Sequence, residues 1–83
     1  MKVDIVSTEA VLWEGTASSV VVPAVNGELG ILPGRQPILA VLRSGDVRIT
    51  AEDGTKETIA VRAGFVSVDQ DVVEVVVDNT VTD

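Results

Sequence analysis

The chain has 83 residues, room for one domain whose folding buries somewhat more than ~60% of the surface that the unfolded chain exposes. It contains no cysteine and no histidine, which removes disulfides, thiolate metal ligation and a side chain that titrates near neutral pH. Six basic against 13 acidic residues give a formal charge of −7, which repels nucleic acid and anionic lipid headgroups.

The apolar fraction is 46% but aromatics make up only 2%, with Trp13 and Phe65 the two large rings. Valine dominates: 18 valines and 5 isoleucines stand against 5 leucines. Branched Cβ atoms sit more easily on a pleated sheet than against a helical turn, so composition alone points to an all-β fold. Asp4 interrupts the segment where a signal peptide needs an unbroken apolar stretch, and no run approaches the ~18 apolar residues of a membrane helix. A cytosolic location is expected.

From Lys2 to Ser7 the chain alternates, with Val3 and Ile5 on one face, which is the period of a half-buried strand. Val11 to Gly15 is a short piece holding Trp13, and Thr16 to Val22 is a further strand that Pro23, lacking a backbone donor, should end. The three glycines and the proline between Gly27 and Gly34 predict a structured loop of tight turns. Pro37 to Leu42 is a short apolar segment, Ser44-Gly45 a turn, and Asp46 to Glu52 a strand with Val47, Ile49 and Ala51 inward. Asp53-Gly54 is expected to close a two-residue hairpin onto a strand with Ile59 and Val61 inward. Phe65 to Asp69 and Val72 to Asp78 form the last pair, joined at Gln70-Asp71, before a polar tail from Asn79 to Asp83. Roughly eight to ten short strands without a helix predict a flattened β-sandwich or barrel in one domain, residues 1–83. The runs Val20-Val21-Val22 and Val75-Val76-Val77 must turn some valines outward, where a partner can touch them.

Little in the chain offers chemistry. No glycine precedes a lysine, so a phosphate-cradling loop is absent, and the serines have no histidine or cysteine beside them to act as base or alternative nucleophile. Glu52-Asp53, Asp69 with Asp71, and Glu9 with Glu14 are carboxylate pairs at predicted turns, better read as solvated turns than as a calcium or acid–base site. The basic residues are scattered. Trp13 is read as core before interface anchor, since one tryptophan in a small valine-rich domain is needed for packing.

The segment Val25-Asn26-Gly27-Glu28-Leu29-Gly30-Ile31-Leu32-Pro33-Gly34-Arg35-Gln36-Pro37-Ile38-Leu39 is more specific. Its Gly-Glu-Leu-Gly-Ile, Pro-Gly, and Pro with two aliphatics resemble the signature of the epsilon subunit of F-type ATP synthases. Val3 to Ser7 with Glu9, Gly45 to Ile49, and Ile59 to Asp78 resemble the family's opening strand, middle hairpin and closing strands. The resemblance implies a ten-stranded β-sandwich at the foot of the rotor, bound to the gamma subunit and to the polar loops of the membrane ring. It implies a peripheral position at the cytoplasmic face of the cell membrane, without lipid insertion, catalytic residue, metal or cofactor.

Residue by residue, the resemblance makes Glu28 the acidic residue facing the ring, with Leu29, Gly30, Ile31, Pro33 and Gly34 shaping its loop. A glycine-rich structural corner is the alternative reading of those glycines. Arg35 stands where some members have histidine, which would keep a cationic contact without its pH dependence. Ser7 lies where the family approaches gamma, and Asp46 with Val47 where its hairpin approaches gamma or the ring. Family members commonly continue into a C-terminal helical hairpin that inhibits hydrolysis and in some binds ATP. This sequence ends at Asp83, so neither property is carried over, and a naturally short chain and a truncated one both remain open. The competing readings are a generic β-sandwich adaptor or carbohydrate-binding module, for which two aromatic rings make a poor platform, and, further behind, an enzyme.

Overall fold

The computed structural model describes residues 1–34 and 36–78. Eight strands follow one another: β1 (Lys2–Ser7), β2 (Val11–Ala24), β3 (Gly27–Ile31), β4 (Ile38–Leu42), β5 (Gly45–Ala51), β6 (Lys56–Val61), β7 (Gly64–Asp69) and β8 (Val72–Val77). No helix among the described residues is long and apolar enough to cross a membrane.

The strands form two layers of a sandwich joined through the long β2. In one, β4, β7, β8 and β1 lie side by side with the first part of β2; in the other, β3, the rest of β2, β5 and β6 do. All pairings are antiparallel except β1 with β8, which run parallel from Lys2↔Val72 to Ser7↔Val77. The pieces expected at Val11–Gly15 and Thr16–Val22 are thus one strand of 14 residues. Its register shifts between Ala17 and Ser19, where it leaves β1 and joins β5. Small side chains and a bulge let a strand bend from one layer into the other.

Pro23 does not end that strand. Its carbonyl accepts from Arg43 N at 2.8 Å, so its missing N–H lies on the same side, where β4 has already ended at Leu42. Toward β3, Pro23 sits opposite Glu28 and no ladder bond is lost. Gly27 to Ile31 is a paired strand, where a loop was expected, because alternation continues through the glycines, with Leu29 half-buried and Ile31 fully buried.

The core is aliphatic. Val3, Ile5, Val20, Val22, Ile31, Val47, Ile49, Val61, Val66, Val73, Val75 and Val77 are its largest fully buried side chains, and no polar side chain is buried among the described residues. Each such burial contributes roughly 1.5–3 kcal/mol against leaving the side chain in water. Trp13 packs on this cluster from its margin, half-exposed, with its ring edge over Gly15, so it is neither enclosed core nor fully free. Ala51, expected inward, is half-buried at the end of β5.

The turns correct one expectation and bear out another. Between β5 and β6, Gly54 N donates to Ala51 O and Ala51 N to Thr55 O, with Gly54 at φ 91. That is a longer loop closed by a left-handed glycine, where a two-residue turn was expected. The two-residue turn is instead Gln70-Asp71, whose φ values of 49 and 61 meet the requirement for positive φ at both central positions without any glycine.

Candidate interaction site

Glu28 lies near the start of β3 with its side chain outward. Its Oε1 accepts from Arg48 Nη2 at 2.8 Å, an ion pair that reaches across β2 to β5, with both side chains about half exposed at 56% and 53%. Alternation places Gly30 outward beside Val21 and turns Leu29 and Ile31 toward the core. Pro33 and Gly34 form an exposed turn beyond the strand, tied by Gly34 N to Asp71 Oδ1 at 2.8 Å. The residues singled out in this segment are therefore divided among an outer strand face, the core and a separate turn. Arg35 lies outside the described residues.

Of the residues assigned to a gamma contact, Asp46 is exposed opposite Ala60. Val47 is fully buried, so its side chain packs the core and presents nothing to a partner. Ser7 closes the β1–β2 turn: its Oγ accepts from the N–H groups of Glu9 and Ala10, each at 3.2 Å.

The carboxylate pairs are dispersed. Asp53 Oδ1 accepts from Thr55 N at 2.9 Å, and this backbone hydrogen bond holds its carboxyl below the ordinary value of 3.8. Glu14 lies within β2, whereas Glu9 is in the preceding turn. Among the described residues no group of three acidic side chains is arranged to hold a metal ion. A shallow depression of about 280 Å³ on the outer face of β2, β5 and β6 is lined by Ser19, Val21, Arg48, Ile49, Thr50, Lys56, Glu57 and Thr58.

The strongest surface feature lies on the opposite layer; the sequence points to outward valines in the Val75-Val76-Val77 run but not to the row they join. Register places Val41 beside Phe65, Phe65 beside Val76, Val76 beside Val6, and Val6 beside Val11. These five side chains form one outward row across five strands, which spans roughly 19 Å at ordinary strand spacing. Val11 is 62%, Val41 59% and Phe65 43% exposed. Val25, whose N–H donates to Val41 O, extends the row at the β4 end, and Leu39, 75% exposed, stands beside it opposite Ser67. The next row on this face reads Ser67, Glu74, Asp4 and Glu14, placing three carboxylates on adjacent strands beside the apolar row. Asp4 Oδ1 is shielded from water without a hydrogen-bond partner. Opposed like charges destabilise a sheet. The row is costly for the isolated domain.

A two-layer sandwich with one apolar row on an outer face, and with its carboxylates and cations spread over turns and strand faces, defines a small all-β domain. The family of the ATP synthase delta/epsilon chain β-sandwich domain matches residues 1–83, and the chain belongs to that family, a non-catalytic part of the ATP synthase. It is 49% identical over 71 residues to the ATP synthase epsilon chain of Micrococcus luteus, covering 86% of this chain and 78% of that one. It is 49% identical over 65 residues to ATP synthase epsilon chain 2 of Ralstonia nicotianae, covering 78% of this chain and 47% of that one. Among solved structures, a chain of the Euglena gracilis mitochondrial ATP synthase, OSCP/F1/c-ring, superposes with TM-score 0.87 at 20% identity, covering 95% of this chain and 51% of that chain. A chain of the Tetrahymena thermophila mitochondrial ATP synthase central stalk/c-ring gives 0.80 at 18%, covering 95% and 63%. At these identities the two structures establish the shared fold.

Proposed function

We propose that this domain is a rotor component of a proton-translocating F-type ATP synthase, docking on the gamma subunit and the membrane ring. It helps couple proton flow to ATP synthesis from the cytoplasmic face of the cell membrane, as a peripheral component that inserts nothing into lipid. Family membership supports the complex, and the apolar row from Val41 through Phe65, Val76 and Val6 to Val11 carries the docking. Such a row left in water gains free energy when a partner covers it, roughly 25 cal/mol for each Å² of apolar surface removed. The neighbouring Asp4, Glu14 and Glu74 repel anionic headgroups, so the occupant is the gamma subunit and not the lipid surface. Glu28 and the Pro33-Gly34 turn then face the ring. A rotor contact needs no titrating group and no bound cofactor in this domain, only a stiff body that keeps its shape under torque.

The test is a pull-down of the tagged chain against membranes and soluble extract of its host, with partners identified by mass spectrometry. Gamma and ring subunits are expected in the wild-type eluate, and Phe65→Glu should reduce their recovery about tenfold while leaving the circular dichroism spectrum unchanged, because Phe65 is 43% exposed. Recovery of neither subunit by a folded wild-type chain would sink the rotor reading. Equal recovery by the Phe65 variant would sink the assigned face.

A further inference from the structure

We infer that Asp71 is a positioning residue that sets the geometry of the Pro33-Gly34 turn for docking. Three segments distant in sequence meet at this side chain and its backbone. Its Oδ1 accepts from Gly34 N at 2.8 Å, and its carbonyl accepts from Lys2 N at 2.9 Å. It also occupies the second central position of the β7–β8 turn, at φ 61.

The choice of residue at that position needs an explanation. Positive φ is the conformation that glycine adopts without cost, and a side chain there is mildly strained. The chain uses glycine at its other sharp corners, Gly34 at φ 82 and Gly54 at φ 91, but not at Asp71. What an aspartate adds over glycine is an acceptor, here used on a backbone N–H 37 positions earlier in the chain. A carboxylate accepting from an N–H makes a stronger bond than a neutral acceptor does, and this one replaces water at the amide of an exposed turn. Pro33, by fixing φ just before Gly34, stiffens the same corner from its other side. A turn held in this way loses less freedom when a partner takes it up, so binding is tighter than for a loose one.

This inference rests on the docking proposed above, and its experiment separates the two. Asp71→Gly relieves the backbone strain and removes the acceptor; Asp71→Asn keeps a neutral acceptor at the same place. For wild type and both variants, three quantities are measured: the melting temperature, the hydrogen-exchange rate of the Gly34 amide, and the affinity for a purified gamma–ring subassembly. Asp71→Gly should melt at or above the wild-type temperature, exchange its Gly34 amide about tenfold faster, and bind about five- to tenfold more weakly. Asp71→Asn should restore most of both losses. A merely structural role would lower the melting temperature together with the affinity. Unchanged Gly34 exchange in Asp71→Gly would overturn the positioning role, and so would faster exchange with unchanged affinity. Failure of the wild-type chain to bind the subassembly at all would overturn the docking reading and this inference with it.

Discussion

Gly64→Ala gives the most stringent test of the strand arrangement. A Cβ at Gly64 would lie 2.0 Å from Val76 O and 2.7 Å from Val77 Cα, both backbone atoms of β8. Reaching an ordinary contact of roughly 3.2 Å requires about 1.2 Å of movement, far beyond what a packed sheet yields without rearrangement. Neither strand can simply retreat, since β7 is paired on its far side with β4 through Leu42 and β8 with β1 through Ser7. The relief therefore opens the Gly64↔Val77 end of the ladder and the adjoining bond from Asp78 N to Ala63 O. Two hydrogen bonds at about 1 kcal/mol each and about 1–3 kcal/mol of residual overpacking outweigh the ~0.5–1 kcal/mol that alanine gains by stiffening the unfolded chain. The net loss is about 2–4 kcal/mol, or roughly 10–30 °C in melting temperature for a domain of this size. Thermal and urea unfolding, followed by fluorescence of the single tryptophan Trp13, measures it. Gly30→Ala is the internal control, because nothing lies within 4 Å of its Cβ position, and it should be neutral or slightly stabilising. If Gly64→Ala melts within about 3 °C of wild type, the Gly64↔Val77 register of β7 and β8 is wrong.

Ile49→Asp should leave the domain unfolded at room temperature, because Ile49 is 1% exposed and a carboxylate there has no partner; a variant that melts like wild type would place Ile49 on the outer face. Glu28→Lys should change stability by less than about 1 kcal/mol, since the Arg48 pair is half exposed, yet weaken coupling of proton flow to ATP synthesis in membrane vesicles. Unchanged coupling would remove Glu28 from the ring contact. Asp53 should titrate below 3.8, its hydrogen bond from Thr55 present in full above that value and lost as pH falls through the lowered one. An NMR titration midpoint at or above 3.8 would mean that this bond does not form in solution.

Much of the fold was legible because the alternation is regular wherever one face is buried. Val3 and Ile5, and Val47 and Ile49, each announce a strand and its inward face, and all are buried, whereas the valine-rich run from Val72 announces a strand without saying which valines turn inward. The misreadings come from residues whose usual meaning is local. Pro23 looks like a strand end because its missing N–H is costly in most ladders, and it is tolerated only because β4 stops at Leu42. Gly27 and Gly30 look like a loop because glycine weakens a strand, but Leu29 and Ile31 still anchor β3 on Val22 and Val20. Asp53-Gly54 looks like a two-residue hairpin because its glycine signals positive φ, whereas Gln70-Asp71, legible as the joint of the last strand pair, takes that geometry with no glycine to mark it.

The outward apolar row was hidden for a different reason. Val6, Val11, Val41, Phe65 and Val76 come from five strands, and nothing in their spacing relates one to another until register is known. The two valine triplets illustrate the limit. Each turns its middle residue outward, but Val21 stands beside Gly30 and Arg48, whereas Val76 stands between Phe65 and Val6. Identical local sequence thus gives a lone apolar side chain on one layer and part of a continuous apolar row on the other. The difference lies in what the neighbouring strands bring to the same level. A shift of one residue in β8 relative to β7 would turn Val76 into the core and Val75 and Val77 outward, and the row would be broken at its centre. The parallel pairing with β1 and the close approach of Gly64 to Val76 O both hold β8 in register. The glycine that admits no side chain is therefore also what keeps the outward apolar row continuous.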